Sequence, residues 1–406
     1  MNEMNQFRDE VRSWIEANAP EALRGRAFDP TWVSWGGRRA QLHPDQRTWL
    51  ARMAERGWTA PTWPREYGGG GLSRDEAAVV QQEIARLKLP TPLAGMGLSM
   101  IGPTLLQHGN EEQRHEHLTK IVRGEVRWCQ GYSEPGAGSD LASLQTAAVR
   151  DGDDYVVNGQ KIWTSGATSA DWMFMLVRTD RASKHQGISF LLVDMTTPGI
   201  EVRPIKLISG NSPFCETFFT DVRVPAKNLV GRENEGWTIG KALLGFERSG
   251  IGGMGGAAGG GPVRAEGRAG PQLAQLARRH LGDDGGRIAD PVLRDRMAQL
   301  GMDQQCFQLT VQRAADNRKA GHAPGSETSM FKLYSTELGQ RRDELLLAIR
   351  GPEALGWEGE GFEDEDIAQT RGWLGARGTT IYGGTSEIQL NIIAKRVLGL
   401  PDDPGA

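Results

Sequence analysis

Apolar positions recur every three or four residues over roughly the first 125 residues, then every second residue, then every three or four again. In FRDEVRSWIEANAP (7–20), Phe7, Val11, Trp14 and Ile15 share one helical face before proline stops the run. A second helix is predicted from Ser73, where Ser73 and Glu76 have the spacing of a capping box. The stretch between them, GWTAPTWPREYGGGG (57–71), reads as a Pro/Gly/aromatic loop.

Near residue 128 the period falls to two. DDYVVNGQKIWTSG (153–166) predicts a hairpin turning at Asn158-Gly159, a pair that tolerates positive φ. Further strands are expected at 171–178, 187–195, 199–208 and 215–224. With no helix between them, they predict an antiparallel sheet or barrel rather than a doubly wound fold. Helical spacing returns at GWTIGKALLGFER (236–248) and continues through 286–319, 327–350 and 384–399. In the last of these, Ser386 and Gln389 are spaced for a capping box, behind Gly383 and Gly384. Such a start offers free N–H groups to whatever lies in front of it.

The predicted class is therefore α+β: an N-terminal α-helical domain (1–127), a middle β domain (128–235) and a C-terminal α-helical bundle (236–406). A glycine-rich insertion (250–271) and an acidic loop (353–366) interrupt the last domain.

Composition narrows the function. With 47 basic and 51 acidic residues spread along the chain, the net charge is −4. No basic field points to nucleic acid or to an anionic membrane surface. The longest apolar runs are strand-sized, and the polar start shows no signal peptide. Three cysteines without metal or disulfide spacing make a reduced cytoplasm the expected compartment. The seven histidines form no HxxH or HxxxH pair, so a metal enzyme is not expected.

Gly250-Ile-Gly252-Gly-Met-Gly255 satisfies the dinucleotide pattern GxGxxG. That pattern needs a strand before it and a helix after it; here a helix leads in and a glycine tract leads out. A flexible insertion is the better reading. CQGYSEPGAGSDLAS (129–143) says more, because it forms a turn rich in N–H and hydroxyl donors beside Trp128 and Tyr132. A second polar-aromatic cluster follows at Trp163-Thr164-Ser165-Gly166. Indoles beside donors suit a flat aromatic cofactor.

GYSEPGAGSD, NGQKIWTSGA and IYGGTSEIQLNIIAKRVLGL, in that order, resemble the acyl-CoA dehydrogenase family. The α–β–α order and GWTAPTWPREYGG extend the resemblance over nearly the whole chain. It implies FAD held between the β domain and the C-terminal helices, commonly in tetramers. The implied reaction removes the α-proton and β-hydride of an acyl-CoA, leaving a trans-2-enoyl-CoA. An electron-transferring flavoprotein is the implied oxidant. The resemblance also implies that Gln130, Tyr132, Ser133, Gly138 and Ser139 line the flavin, with Trp163, Thr164 and Ser165 contacting it from the hairpin side. Thr385 and Glu387 would meet FAD at the last helix, and Gly351 matches a glycine turn over a neighbouring subunit's FAD. Ser139 would also reach the pantetheine, with Phe246, Arg248 and Gly384 on the substrate.

The chain also departs from the pattern. Arg278 in RRHLG corresponds only loosely to the arginine expected on the pyrophosphate, AIRGP (348–352) replaces a QxxGG-type motif, and Leu390 stands where many relatives carry arginine. Many relatives read IYEG and use that glutamate as base, whereas this chain has Gly383. Glu247 in GFERSG matches the base position of isovaleryl-CoA dehydrogenase-like members, which lack the other acid. The expected roles are thus Glu247 as base and Gly383 as an N–H donor to the thioester oxygen, with space for a bulky or branched acyl group. Three alternatives stand beside this reading: a non-catalytic or half-site subunit of a heteromeric dehydrogenase, an acyl-CoA oxidase, and a flavin monooxygenase. The assembly is expected to be a homotetramer or an α2β2 heterotetramer.

Overall fold

The computed structural model describes residues 2–27, 29–249, 269–320 and 327–401. The glycine-rich tract and its GxGxxG match (250–268) lie outside the described residues. Contacts divide the chain into two compact units. One runs to Ile205 and resumes over Pro213–Glu247; the other holds Lys206–Ser212 and the C-terminal helices.

In the first unit, α1 (Asn2–Asn18) lays its predicted stripe against α2 (Pro44–Glu55) and α3 (Arg74–Arg86). Val11 and Ile15 are fully buried with Trp49, Met53, Trp58, Val80 and Ile84. Burial of such side chains contributes about 1.5–3 kcal/mol each. The polar seam of this layer is Glu83, 2% exposed, which accepts from Arg8, Arg12 and Arg86. The Arg12 guanidinium leads in holding its carboxyl down at about 2. Ser73 and Glu76 close their capping box as expected. α4 (Gly102–His108) follows a π-helical turn at Gly97–Ile101, and α5 (Glu111–Val122) is capped by Asn110.

The seven-stranded sheet comprises β1 (Trp128–Gly131), β2 (Ala147–Asp151), β3 (Asp154–Lys161), β4 (Trp172–Arg178), β5 (Ile188–Asp194), β6 (Ile200–Ile205) and β7 (Phe214–Pro225). The order is β1-β4-β2-β3-β7-β6, with β5 on β4. Two sequence expectations need correction. The sheet is mixed, not antiparallel throughout, because β4 runs parallel to β1 and to β2. The β2–β3 hairpin turns at Gly152 (φ +61), six residues before the predicted Asn158-Gly159. That pair instead forms a bulge inside β3, with Gly159 at φ +147 and a register shift against β7. A Cβ on Gly159 would fall 2.7 Å from the Thr146 backbone. Asn-Gly signals tolerance of positive φ, which a bulge uses as readily as a turn.

Along β4, Trp172, Phe174 and Leu176 face one way, into a core shared with Met100, Leu105 and Leu118 of the preceding helices and with Ile239 and Leu243 of α6 (Gly236–Ser249). Met173, Met175 and Val177 face the other way, into a core made by the curled sheet itself. Hence every β4 residue is buried. α6, assigned by the sequence reading to the C-terminal domain, clusters with the sheet as far as Glu247.

The second unit contains α7 (Ala269–Leu281), α8 (Pro291–Lys319), α9 (Glu327–Arg350), α10 (Asp364–Ala376) and α11 (Ser386–Ile392). Ala277, Leu293, Leu300, Leu338, Leu345 and Ile349 form its core around α9. Buried Arg350 joins α9 to α10 through Asp366 at 2.6 Å and Glu365 at 2.9 Å.

Candidate active site

β1 delivers the chain into a tight turn in which Glu134 and Ala137 exchange both backbone hydrogen bonds. Gly136 and Gly138 lie in open space on its outer side, and Ser139 is exposed. The inner side is clamped. The Glu134 carboxylate accepts from Gln145 N (2.6 Å), Thr146 N (2.9 Å) and Lys161 Nζ (2.8 Å). Lys161, 0% exposed, also donates to the Tyr132 carbonyl at 3.1 Å. Burial pushes the Lys161 ammonium pKa down against the pull of Glu134. Burial alone would raise the Glu134 carboxyl, but Lys161 and the hydrogen bonds outweigh it and leave it below its usual range.

The same lysine ends β3, and Ile162 N donates to the Ser133 carbonyl at 2.9 Å. The donor-rich turn and the Trp163–Gly166 segment are thereby fastened together. Trp163 takes a left-handed backbone (φ +61) and leaves its indole 52% exposed, edge-on to Phe214. Strain at a large exposed aromatic is characteristic of ligand-facing positions. Thr164 turns inward: its hydroxyl bonds Cys215 O and Thr217 Oγ1, so its side chain holds the segment rather than facing outward. Ser165 and Gln130 are half-buried. An exposed indole, open glycine positions and nearby peptide donors fit a flat heteroaromatic cofactor.

The Tyr132 side chain points under α6. A Cβ on Gly240 would stand 3.5 Å from its hydroxyl, which is buried without a hydrogen-bond partner among the described residues. Burial and the Glu247 carboxylate push the tyrosine pKa up. Glu247 lies two helical turns beyond Gly240, on the same face. It and Phe246 are half-buried; the Arg248 side chain lies outside the described residues.

In the second unit, Gly383 (φ +67) and Gly384 (φ +90) form the approach to α11. The cap is Thr385, whose hydroxyl accepts from Ile388 N at 3.2 Å, one residue before the expected Ser386. Gln389, expected to reach back to the cap, donates to the Gly383 and Gly384 carbonyls at 3.3 and 3.4 Å. A local spacing rule does not resolve which of two adjacent hydroxyls takes the cap. Exposed Glu387 is held below the usual carboxylate range by its backbone, the Thr385 hydroxyl and Lys332. Gly351 also has positive φ (+57). Arg278 pairs with Asp283 at 3.3 Å, and Leu390 is exposed.

Sequence reasoning passed over Lys161 and Lys332, both deeply buried here. The available signal was a lysine at an inward position of a strand, and another flanked by apolar residues near the start of a helix.

The family descriptions "Acyl-CoA dehydrogenase, N-terminal domain", "middle domain" and "C-terminal domain" match residues 1–125, 129–222 and 234–398. The chain is 37% identical over 402 residues to acyl-CoA dehydrogenase IpdE1 of Mycobacterium tuberculosis, covering 99% of each. Among solved structures, the Tcur3481-Tcur3483 steroid ACAD is similar at a TM-score of 0.75 and 30% identity, covering 99% of both chains. The ChsE4-ChsE5 complex from Mycobacterium tuberculosis is similar at 0.71 and 30%, with the same coverage.

Proposed function

The chain belongs to the acyl-CoA dehydrogenase family and is a flavin-dependent acyl-CoA dehydrogenase, and from that premise we propose that it binds FAD and oxidises a bulky or branched acyl-CoA with Glu247 as base. One observation carries the choice of base. Residue 383 is a glycine in a left-handed backbone that a glutamate would occupy only under strain, while Glu247 is a half-buried acid beside the Tyr132 hydroxyl.

Trp163, Ser165, Gln130 and Ser133 would hold the flavin on the sheet side, and Thr385 and Glu387 at the start of α11. When bound, the cofactor supplies the acceptor for the β-hydride. The protein supplies the rest: Glu247 takes the α-proton, and the Gly383 N–H binds the thioester oxygen on which negative charge develops. Ser139, Phe246 and Gly384 are assigned to the acyl-CoA. The names of the similar solved structures, a steroid ACAD and a two-protein complex, support a bulky substrate and assembly as a tetramer of like or paired unlike chains. Exposed Leu355, Ile381, Leu390 and Leu398 in the second unit support such assembly. No described helix is long and apolar enough to cross a membrane, which accords with a cytoplasmic enzyme. An electron-transferring flavoprotein is the proposed acceptor.

The test is anaerobic bleaching of the purified yellow protein by straight, branched and ring-bearing acyl-CoAs. The expected result is fastest bleaching by a branched or ring-bearing thioester, and a drop of about 10²–10⁴-fold in Glu247→Gln with flavin retained. Equal bleaching by Glu247→Gln refutes the base. Bleaching only after co-expression with a related chain favours the half-site subunit, and rapid reoxidation in air favours an oxidase or monooxygenase.

A further inference from the structure

Lys332 lies in the second turn of α9 and is 0% exposed, yet its ammonium ends 2.6 Å from the Gly384 carbonyl. Gln389, 1% exposed, reaches the carbonyls of both Gly383 and Gly384 from α11. Two buried side chains on different helices thus converge on two successive carbonyls of one glycine turn.

In a planar trans peptide the carbonyl of one residue and the N–H of the next point in opposite directions. Holding the Gly383 carbonyl therefore aims the Gly384 N–H, and holding the Gly384 carbonyl aims the Thr385 N–H. No described group accepts from either N–H, nor from that of Gly383. Glycines at φ +67 and +90 have wide conformational freedom, so this turn would wander without an external restraint. A cation on a carbonyl also polarises the peptide and strengthens the donor at its far end.

We propose that Lys332 is a positioning residue for the thioester-oxygen turn: with Gln389 it fixes the two peptide planes that follow Gly383 and so holds in place the residue whose own N–H is assigned to the thioester oxygen, while its charge strengthens the Thr385 N–H on the far side of the peptide it holds. The inference rests on the reading above that this turn receives the thioester oxygen. Burying an ammonium is costly unless its hydrogen bonds are made, so a buried lysine that donates to this turn marks a geometry that matters.

The test uses holoenzyme, with Lys332→Met, Lys332→Arg and Gln389→Leu as variants, and two readouts. Deuterium uptake over residues 381–390 is measured without substrate. The expected result is severalfold faster uptake in Lys332→Met, with α9 itself unchanged and Lys332→Arg close to wild type. Unchanged uptake overturns the positioning role.

The second readout is the infrared carbonyl stretch of bound cyclohexanecarbonyl-CoA labelled with ¹³C at the thioester carbon. A downshift in wild type that is at least halved in Lys332→Met supports the proposal, and a downshift kept in full overturns it. No downshift in wild type sinks the thioester-oxygen reading, while deuterium uptake still decides whether Lys332 holds the turn. In turnover, Lys332→Met is expected to lose about tenfold to a hundredfold in kcat with KM little changed, since a complete oxyanion donor is worth about 10²–10³. If Lys332→Met does not fold, Gln389→Leu is read in the same assays, with a smaller effect of the same sign expected and no effect counting against the proposal.

Discussion

Replacing Lys161 by methionine removes an ammonium that is 0% exposed and keeps a side chain of similar length in its place. Two hydrogen bonds go, to the Tyr132 carbonyl at 3.1 Å and to Glu134 at 2.8 Å. Hydrogen bonds to charged groups are worth about 1.5–3 kcal/mol each, and breaking a buried pair costs about 3–5 kcal/mol. Glu134 keeps two backbone donors, Gln145 N and Thr146 N, so the lower end applies, about 3 kcal/mol. For a unit of this size that is a fall of about 6–12 °C in Tm. The loss should extend to function, because the same ammonium fastens the donor-rich turn to the Trp163 segment. FAD affinity, followed by flavin fluorescence, is expected to fall with it. A double variant, Lys161→Met with Glu134→Gln, separates charge from packing. The two N–H groups bond different carboxylate oxygens, so the amide oxygen keeps one of them; the double variant removes the unpaired charge and should recover part of the lost stability. The reasoning is refuted if Lys161→Met melts within about 2 °C of wild type, or if the double variant is less stable than the single one.

Three other outcomes are expected. His117 is buried edge-on to Trp128 and Trp172, and burial holds its pKa down at about 4, with Glu116 raising it and Lys120 and Lys227 lowering it. The unfolded chain therefore binds the proton first. Stability is complete above about pH 6.5 and is lost as pH falls toward 4, by up to about 3 kcal/mol; urea unfolding at pH 7, 5.5 and 4.5 measures this, and His117→Gln should flatten the slope. Gly383→Ala keeps the N–H but meets φ +67, so Tm should drop by the equivalent of about 1 kcal/mol, read by calorimetry. Trp163→Gly removes an exposed indole and relieves the left-handed backbone strain; FAD should bind about tenfold more weakly, measured by equilibrium titration, while thermal stability without cofactor stays level or rises.

What the sequence disclosed depended on range. The Ser73–Glu76 box needs only residues three apart, and the β4 and β5 strands needed only their own apolar runs. The Asn158-Gly159 pair showed its conformational tolerance but not its use, since the choice between turn and bulge is made by β7, more than fifty residues later. Thr164 is an isolated polar residue until Cys215 and Thr217 arrive to bond it. Lys161 and Lys332 were hidden for the same reason. Each side chain is satisfied by a turn 27 to 52 residues away, and a lysine without a visible partner reads as surface. The candidate turns were visible because they carry glycines and donors; the groups that hold them were not.

The two cores of the N-terminal half differ in when they can close during synthesis. The cluster of Val11, Ile15, Trp49, Met53, Val80 and Ile84 is complete once residue 89 has left the ribosome. The cluster of Met100, Ile101, Leu105 and Leu118 is not, because its other side is Phe174, Phe190 and finally Leu243 of α6. At translation rates of about 5–20 residues per second, the roughly 125 residues between Leu118 and Leu243 take about 6–25 seconds. For that interval the core on α4 and α5 is incomplete, with only Ala60, Trp63 and Tyr67 of the earlier chain on it at first, while the cluster on α1, α2 and α3 already has all its residues. A pause in translation shortly before residue 243 would lengthen that exposure, and one just after α6 has emerged would not.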